Sequence, residues 1–370
     1  MKTFVRTTVF AAGIFLAARL GAQPALKQAF QNDFLVGAAL NPSQFCESNE
    51  MEAALIKQQF NTISPENVLK WALVHPEPGR YDFALADRYV AFGEKNHMAV
   101  IGHTLVWHNQ TPDWVFQDNQ GKPVSREVLL QRMRDHIMTV VGRYKGRIKG
   151  WDVVNEALAE DGTLRPSPWR KIIGEDFLLK AYQFAHEADP QAELYYNEYS
   201  LENKPKRSGA VALIQQLQAQ GVKIAAVGLQ SHVRMDWPTR RQEEATISAF
   251  ANLGVKVNIT ELDVDVLPSA GNDVGAEVTS NFKRSEKLNP YAGGLPAAMQ
   301  QQLSDRYAEL FSIFVKHRQD IGRVTFWGVT DGDSWLNDWP VHGRTSYPLL
   351  FDRAGKPKPA FDQVIKTAGS

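Results

Sequence analysis

Cysteine is almost absent from this chain: Cys46 is the only one among 370 residues. A single thiol excludes any intrachain disulfide, so stability must rest on a packed core, which a chain of this length can supply. An excess of either charge sign is also missing. The 41 Lys and Arg balance 41 Asp and Glu, and no basic cluster is interleaved with aromatics, which argues against nucleic acid as a partner. No linker rich in proline, serine, glycine or threonine divides the sequence, and no internal repeat runs through it. Beyond the N-terminus, no apolar run is long enough to span a bilayer.

The opening segment MKTFVRTTVFAAGIFLAARLGA differs from the rest. Lys2 and Arg6 precede an apolar run that reaches Leu16, and the small Ala22 stands where cleavage would occur. That is the arrangement of a secretory signal peptide. The expected organisation is a signal over 1–22 and one domain over 23–370, exported to the periplasm or the medium and free of the membrane once the signal is removed. Cys46 reads as a small apolar filler rather than a nucleophile.

Short β-rich runs alternate with amphipathic helical stretches along the whole chain. The strands read as 34–40, 60–64, 99–106, 148–154, 193–197, 224–231, 255–262 and 323–329. Helical periods are clearest over 125–144 and 299–319, where apolar residues recur at intervals of three and four. Eight strand–helix alternations point to a single α/β domain, a (β/α)8 TIM barrel. A doubly wound sheet would also alternate, but no glycine-rich phosphate turn follows the first strand. One long irregular segment, 267–296, stands between the seventh strand and its helix; loops of that length are functional or mobile. Tyr291 within it is a candidate for an added binding subsite.

Polar and aromatic groups follow strand after strand. Glu66 and Asn67 come after the second, His103 and Trp107 near the end of the third, Asn155 and Glu156 after the fourth. Asn197-Glu198-Tyr199, then Gln230 and His232, then Glu261 and Asp263, and finally Trp327 continue the series. In a barrel these positions gather on one rim, where active sites lie.

Glu156 and Glu261 stand alike, after VVN and NIT, at strands on opposite sides of the mouth. Two carboxylates facing across a cleft suit glycosidic bond cleavage, one donating a proton and the other attacking carbon or activating water. Trp71, Trp107, Trp114, Trp327, Trp335 and Trp339 near strand ends suit the same chemistry, because sugar rings stack on aromatic planes. Roles require different proton affinities. Asn155 beside Glu156 offers a neutral hydrogen bond and flanking valines desolvate it, favouring an acid; His232 and Asp263 near Glu261 favour an ionised nucleophile.

The motifs SPENVLKW, GHTLVWHNQTP, WDVVNEA, GLQSH, ITELDV and FWGVTDGDSWL, in this order, resemble glycoside hydrolase family 10, the retaining endo-β-1,4-xylanases. The resemblance runs from about Leu26 to Ile365. It implies the same barrel, Glu156 as acid/base and Glu261 as nucleophile. It further implies that Asn155 holds the 2-hydroxyl of the reacting sugar, that His232 bonds the nucleophile with Asp263 behind it, and that Gln230 accompanies them. Glu66, Asn67 and Lys70 match the set that binds the next xylose toward the non-reducing end. His103, Trp107 and Gln110 match residues around the reacting sugar, Trp327 and Trp335 its aromatic floor and wall, and Tyr199 a platform on the leaving-group side. Xylan and xylo-oligosaccharides are the implied partners, with no metal, no cofactor and no attached carbohydrate-binding module. The carboxyl groups of a retaining pair are expected roughly 5–5.5 Å apart.

Two other readings compete. A metal-dependent barrel hydrolase would recruit His103, His108, His232, Glu261 and Asp263, but no His-x-His follows the first strand. A sugar-binding protein with a dead site would be expected to have lost a glutamate, and both are intact. His108 reads as a packing residue, and His75, His97, His136, His186, His317 and His342 as surface residues of helices or loops.

Overall fold

A computed structural model describes residues 23–271, 282–283 and 285–369. Nine parallel strands run in chain order: β1 Leu35–Leu40, β2 Thr62–Pro65, β3 Ala99–Val106, β4 Gly150–Asn155, β5 Glu193–Glu198, β6 Ala226–Leu229, β7 His232–Arg234, β8 Lys256–Asp265 and β9 Ile321–Phe326. Consecutive strands from β1 to β6 are neighbours, β9 joins β1 to β8, and β6 pairs with β8. That last pairing closes an eight-stranded barrel. The strands are buried along nearly their whole length, as parallel strands covered on both faces must be.

The ninth strand is a short addition. After Leu229 the chain leaves the barrel wall, and β7 pairs only with the outer part of β8, placing His232 opposite Asp263 and Arg234 opposite Asp265. The run read as 224–231 is thus a strand only over Ala226–Leu229, and a second short strand, His232–Arg234, follows the break at Gln230-Ser231, with Ser231 at φ 58°. The break aims Gln230 and His232 into the barrel mouth.

Helices cover the outside. Arg126–Arg143 begins at a Ser125 cap and Ala297–Lys316 follows Pro296, close to the helical periods of the sequence. The barrel interior is partly polar: His103 Nδ1 lies 3.0 Å from Asp152 Oδ2, and Arg323 lies beside the same carboxylate at 4.0 Å. Gly228 faces inward where a Cβ would strike Asn197 Oδ1 and crowd Thr260. Its lack of a side chain makes room for an amide that reaches the barrel mouth.

Several expectations are corrected. His75 and His136 are buried, not surface residues. Their Nδ1 atoms meet at 3.2 Å, with His136 stacked on Trp71 and His75 on Tyr81 at ring separations of 3.7 and 3.8 Å. Trp71 and Trp114 belong to this aromatic stack rather than to a sugar-binding face, Trp114 donating to the Pro76 carbonyl at 3.0 Å. Tyr291 packs partly against the core, accepts the Tyr347 hydroxyl on its carbonyl, and is not among the residues that line the cleft. Cys46 is half-buried against the core, as a filler would be. Segment 1–22, read above as a secretory signal, and most of the middle of the 267–296 loop lie outside the described residues.

Candidate active site

The C-terminal strand ends open into one cleft of about 440 Å³. All fifteen site residues read from the sequence line it: Glu66, Asn67, Lys70, His103, Trp107, Gln110, Asn155, Glu156, Tyr199, Gln230, His232, Glu261, Asp263, Trp327 and Trp335. Strained backbone gathers at the same place. Among the described residues six non-glycine residues have positive φ, and Gln110, Glu156 and Ser200 are lining residues of the cleft. Such strain costs on the order of 1–3 kcal/mol per residue and is held by the surrounding structure. At Glu156, φ 57° turns the chain out of β4 and delivers the carboxyl to the opening.

Glu156 is held by neutral donors. Gln230 Nε2 donates to Oε1 at 2.9 Å, Trp107 Nε1 to Oε2 at 2.9 Å, and Asn155 Nδ2 to Oε1 at 3.3 Å. Burial pushes its pKa up to about 7, the Glu198 carboxylate adds to the rise, and the bonds from Gln230 and Trp107 hold it back. A carboxyl in this condition can keep a proton near neutrality and give it up.

Glu261 is the opposite case. Burial pushes its pKa up, but the bond from His232, the charges on His103 and His232, and the Asn197 amide outweigh it, leaving it below the ordinary glutamate value. His232 Nε2 lies 3.1 Å from Glu261 Oε2, and His232 Nδ1 lies 3.1 Å from Asp263 Oδ2. Burial alone would lower this imidazole; the Asp263 and Glu261 carboxylates reverse that and raise it to about 10. At neutral pH the group between them is an imidazolium. Asp263 Oδ2 also accepts Trp335 Nε1 at 2.7 Å, which ties the aromatic wall to the charge network.

Amides join the two glutamates. Asn197 Nδ2 donates to Glu261 Oε1 at 2.8 Å and to Asn155 Oδ1 at 2.9 Å, and Gln230 reaches both Asn155 and Glu156. Asn197 Oδ1 in turn accepts the Thr260 hydroxyl at 2.7 Å. Asn197 was visible as a rim residue, but nothing in its sequence context marked it as the bridge.

To one side, Lys70 Nζ donates to Asn67 Oδ1 and Gln110 Oε1, both at 2.9 Å. Gln110 is therefore hydrogen-bonded into the Glu66–Asn67–Lys70 patch. To the other side, Tyr199 is fixed through its hydroxyl, which accepts from Arg165 Nη2 at 2.9 Å and donates to Glu160. Trp339, read with the other rim tryptophans, lines the cleft as well, while Ser200, Glu202, Arg234, Trp237 and Arg344 also line it and were not anticipated. Trp237 follows a strand too short to show a period, while Trp339 stacks on Trp335 at 4.5 Å. Among the described residues, no three His, Cys, Asp or Glu side chains converge so as to hold a metal ion.

Known proteins of the same kind exist. The family model described as glycosyl hydrolase family 10 matches residues 25–367. An endo-1,4-beta-xylanase A from Xylanibacter ruminicola is 48% identical over 364 residues, spanning 98% of this chain and 99% of that protein. An endo-1,4-beta-xylanase from Geobacillus stearothermophilus is 42% identical, spanning 92% of this chain and 98% of its own. The solved structure of a GH10 endoxylanase from a sugarcane soil metagenome superposes with a TM-score of 0.90 at 46% identity, covering 92% of this chain and 99% of that one.

Proposed function

The chain belongs to glycosyl hydrolase family 10, and from that membership we propose that it is an endo-1,4-β-xylanase that cuts internal β-1,4-xylosidic bonds of xylan with retention of configuration. The observation that carries the mechanism is the opposed ionisation of two buried glutamates at one opening, Glu156 raised to about 7 and Glu261 lowered. Paired carboxyl groups with separated proton affinities are what double displacement needs.

In this reaction Glu261 attacks the anomeric carbon while protonated Glu156 gives its proton to the departing glycosidic oxygen. Water then attacks the glycosyl–enzyme ester with Glu156 as base, which returns both carboxyls to their starting states. His232, charged and set between Glu261 and Asp263, keeps the nucleophile ionised before attack and stabilises it as leaving group afterwards. Asn155, supported by Asn197 and Gln230, is positioned to hold the 2-hydroxyl of the reacting sugar. The Glu66–Asn67–Lys70–Gln110 patch would bind the next xylose toward the non-reducing end, His103, Trp107 and Trp327 the reacting sugar, and Tyr199 the leaving one. Trp335, fastened to Asp263, crowds the position of the hydroxymethyl group that glucose has and xylose lacks, which favours xylan over cellulose. The basic and apolar segment 1–22 supports export, so that the substrate is met outside the cytoplasm.

Proton NMR of the anomeric signals in the first moments of xylohexaose cleavage tests the reading. β-Anomer appearing first, from internal cuts, is the expected result. α-Anomer first would mean inversion and would remove Glu261 as nucleophile.

A further inference from the structure

Behind the cleft floor, on the leaving-group side, a lysine and a glutamate are sealed from solvent. Lys206 and Glu198 are both fully buried, and Lys206 Nζ stands 3.0 Å from Glu198 Oε1. Lys206 occupies the first turn of the helix Lys204–Ala219, where the helix dipole disfavours a cation. Burying an ion pair there is costly, and replacement by apolar groups is often neutral or stabilising. A pair in so unfavourable a position has a reason in what surrounds it.

Its surroundings are the two ends of the proton-transfer machinery. Glu198 Oε2 accepts the Leu158 N–H at 3.1 Å and the Tyr196 hydroxyl at 2.7 Å, and Oε1 accepts the Tyr199 N–H at 3.2 Å. Leu158 lies two residues beyond Glu156, so Glu198 anchors the turn that presents the acid. Lys206 Nζ lies 3.1 Å from the centre of the Tyr199 ring, beneath the sugar platform, and 3.5 Å from Glu160, which accepts the Tyr199 hydroxyl. One pair thus touches both the segment that carries the acid and the ring on which the leaving sugar would rest.

We propose that Glu198 and Lys206 are positioning residues for the acid step: Glu198 holds a fixed negative charge behind Glu156 and anchors the chain after it, while Lys206 balances that charge and braces the Tyr199 ring. The proposal rests on Glu156 being the acid. The groups facing Glu156 are Glu198 from β5, Glu261 from β8, Gln230 after β6, Trp107 after β3, Lys70 after β2, and Arg165, whose Nε donates to the Glu156 carbonyl at 3.1 Å. Of the two carboxylates in that set, Glu198 contributes more to the raised proton affinity of Glu156 than Glu261 does. Removing the charge of Glu198 therefore lets Glu156 release its proton at lower pH.

The test is the pH profile of kcat/KM on xylohexaose for E198Q and for the double variant E198Q/K206M, which replaces both halves of the pair with neutral groups and carries the test if E198Q alone does not fold. The alkaline limb should move down by about one pH unit in E198Q, and in the same direction by less in the double variant, where the balancing cation is removed too, while the acid limb stays. A purely structural defect would lower the whole profile without moving one limb. Glycosylation by dinitrophenyl xylobioside, whose leaving group needs no proton, should be nearly unaffected. An alkaline limb unmoved in every folded variant overturns the proposal. E156Q, measured alongside, separates the two levels: if it retains full activity on xylohexaose, the acid assignment fails and this proposal with it; if it loses that activity while the E198Q limb is unmoved, only this proposal fails.

Discussion

His232 presents Nε2 to Glu261 at 3.1 Å, and because its other nitrogen faces Asp263 at the same distance, the imidazole remains charged well above neutral pH. The charge is what keeps a fully buried carboxyl ionised. Replacing it, in H232N, leaves burial to dominate Glu261. The acid limb of kcat/KM should then move up by about one to two pH units, with activity at the optimum reduced roughly ten- to a hundredfold. An unmoved acid limb would show that another group holds Glu261 ionised.

Glu156 gives a stability prediction of the opposite kind from the usual salt-bridged acid. Its folded pKa, about 7, lies above the ordinary glutamate value of 4.5, so the folded state binds more protons between these values and stability falls as pH rises through them. E156Q has no proton to lose. It should be more stable than the parent at pH 8 by about 1–3 kcal/mol and nearly equal to it at pH 4. Denaturant unfolding of both proteins at the two pH values checks this; equal stability at pH 8 contradicts it.

The His75–His136 pair sets an acid limit on the fold. Burial lowers His75 to about 4 and His136 well below 6.5, so both are neutral in the folded protein. The unfolded chain takes up protons at about pH 6.5, and stability is lost as pH falls from there toward 4. H136F can keep the stack on Trp71 while removing one of these titrations, at a cost of about 1 kcal/mol for the unpaired His75 nitrogen. The slope of unfolding free energy against pH between 6.5 and 4 should flatten. The parent slope, unchanged in the variant, would assign acid sensitivity elsewhere.

Much of this was readable from residue order. Strand β3 was located over 99–106 and observed over Ala99–Val106, because its apolar run is bounded by clear breaks. Glu156 and Glu261 announced themselves because an ionisable group at the end of an apolar strand has few other uses. What could not be read were features made by pairing between distant parts of the chain. His75 and His136 sit in helical or loop patterns that allow a surface position, and only the fold brings their rings together. Lys206 looks like any first-turn lysine until Glu198 is found 3.0 Å away. The strand after Gln230 is too short for a period to show, so Arg234 and Trp237 went unnoticed as cleft residues.

Gly228 offers a check on the amide bridge. A methyl group there would strike Asn197 Oδ1 and push the side chain that bonds both Glu261 and Asn155. G228A should fold, lose about 1–3 kcal/mol through overpacking, and show a kcat/KM for xylohexaose reduced by about tenfold or more. Unaltered kinetics would mean that Asn197 is not needed to hold the pair in register.

The measurement that tests the central claim most directly is covalent trapping. A 2-deoxy-2-fluoro xylobioside with an activated leaving group should inactivate the protein with time, and peptide mapping by mass spectrometry should find the single glycosyl label on Glu261. A label on any other residue, or no label under conditions where xylan is still hydrolysed, would contradict double displacement through Glu261.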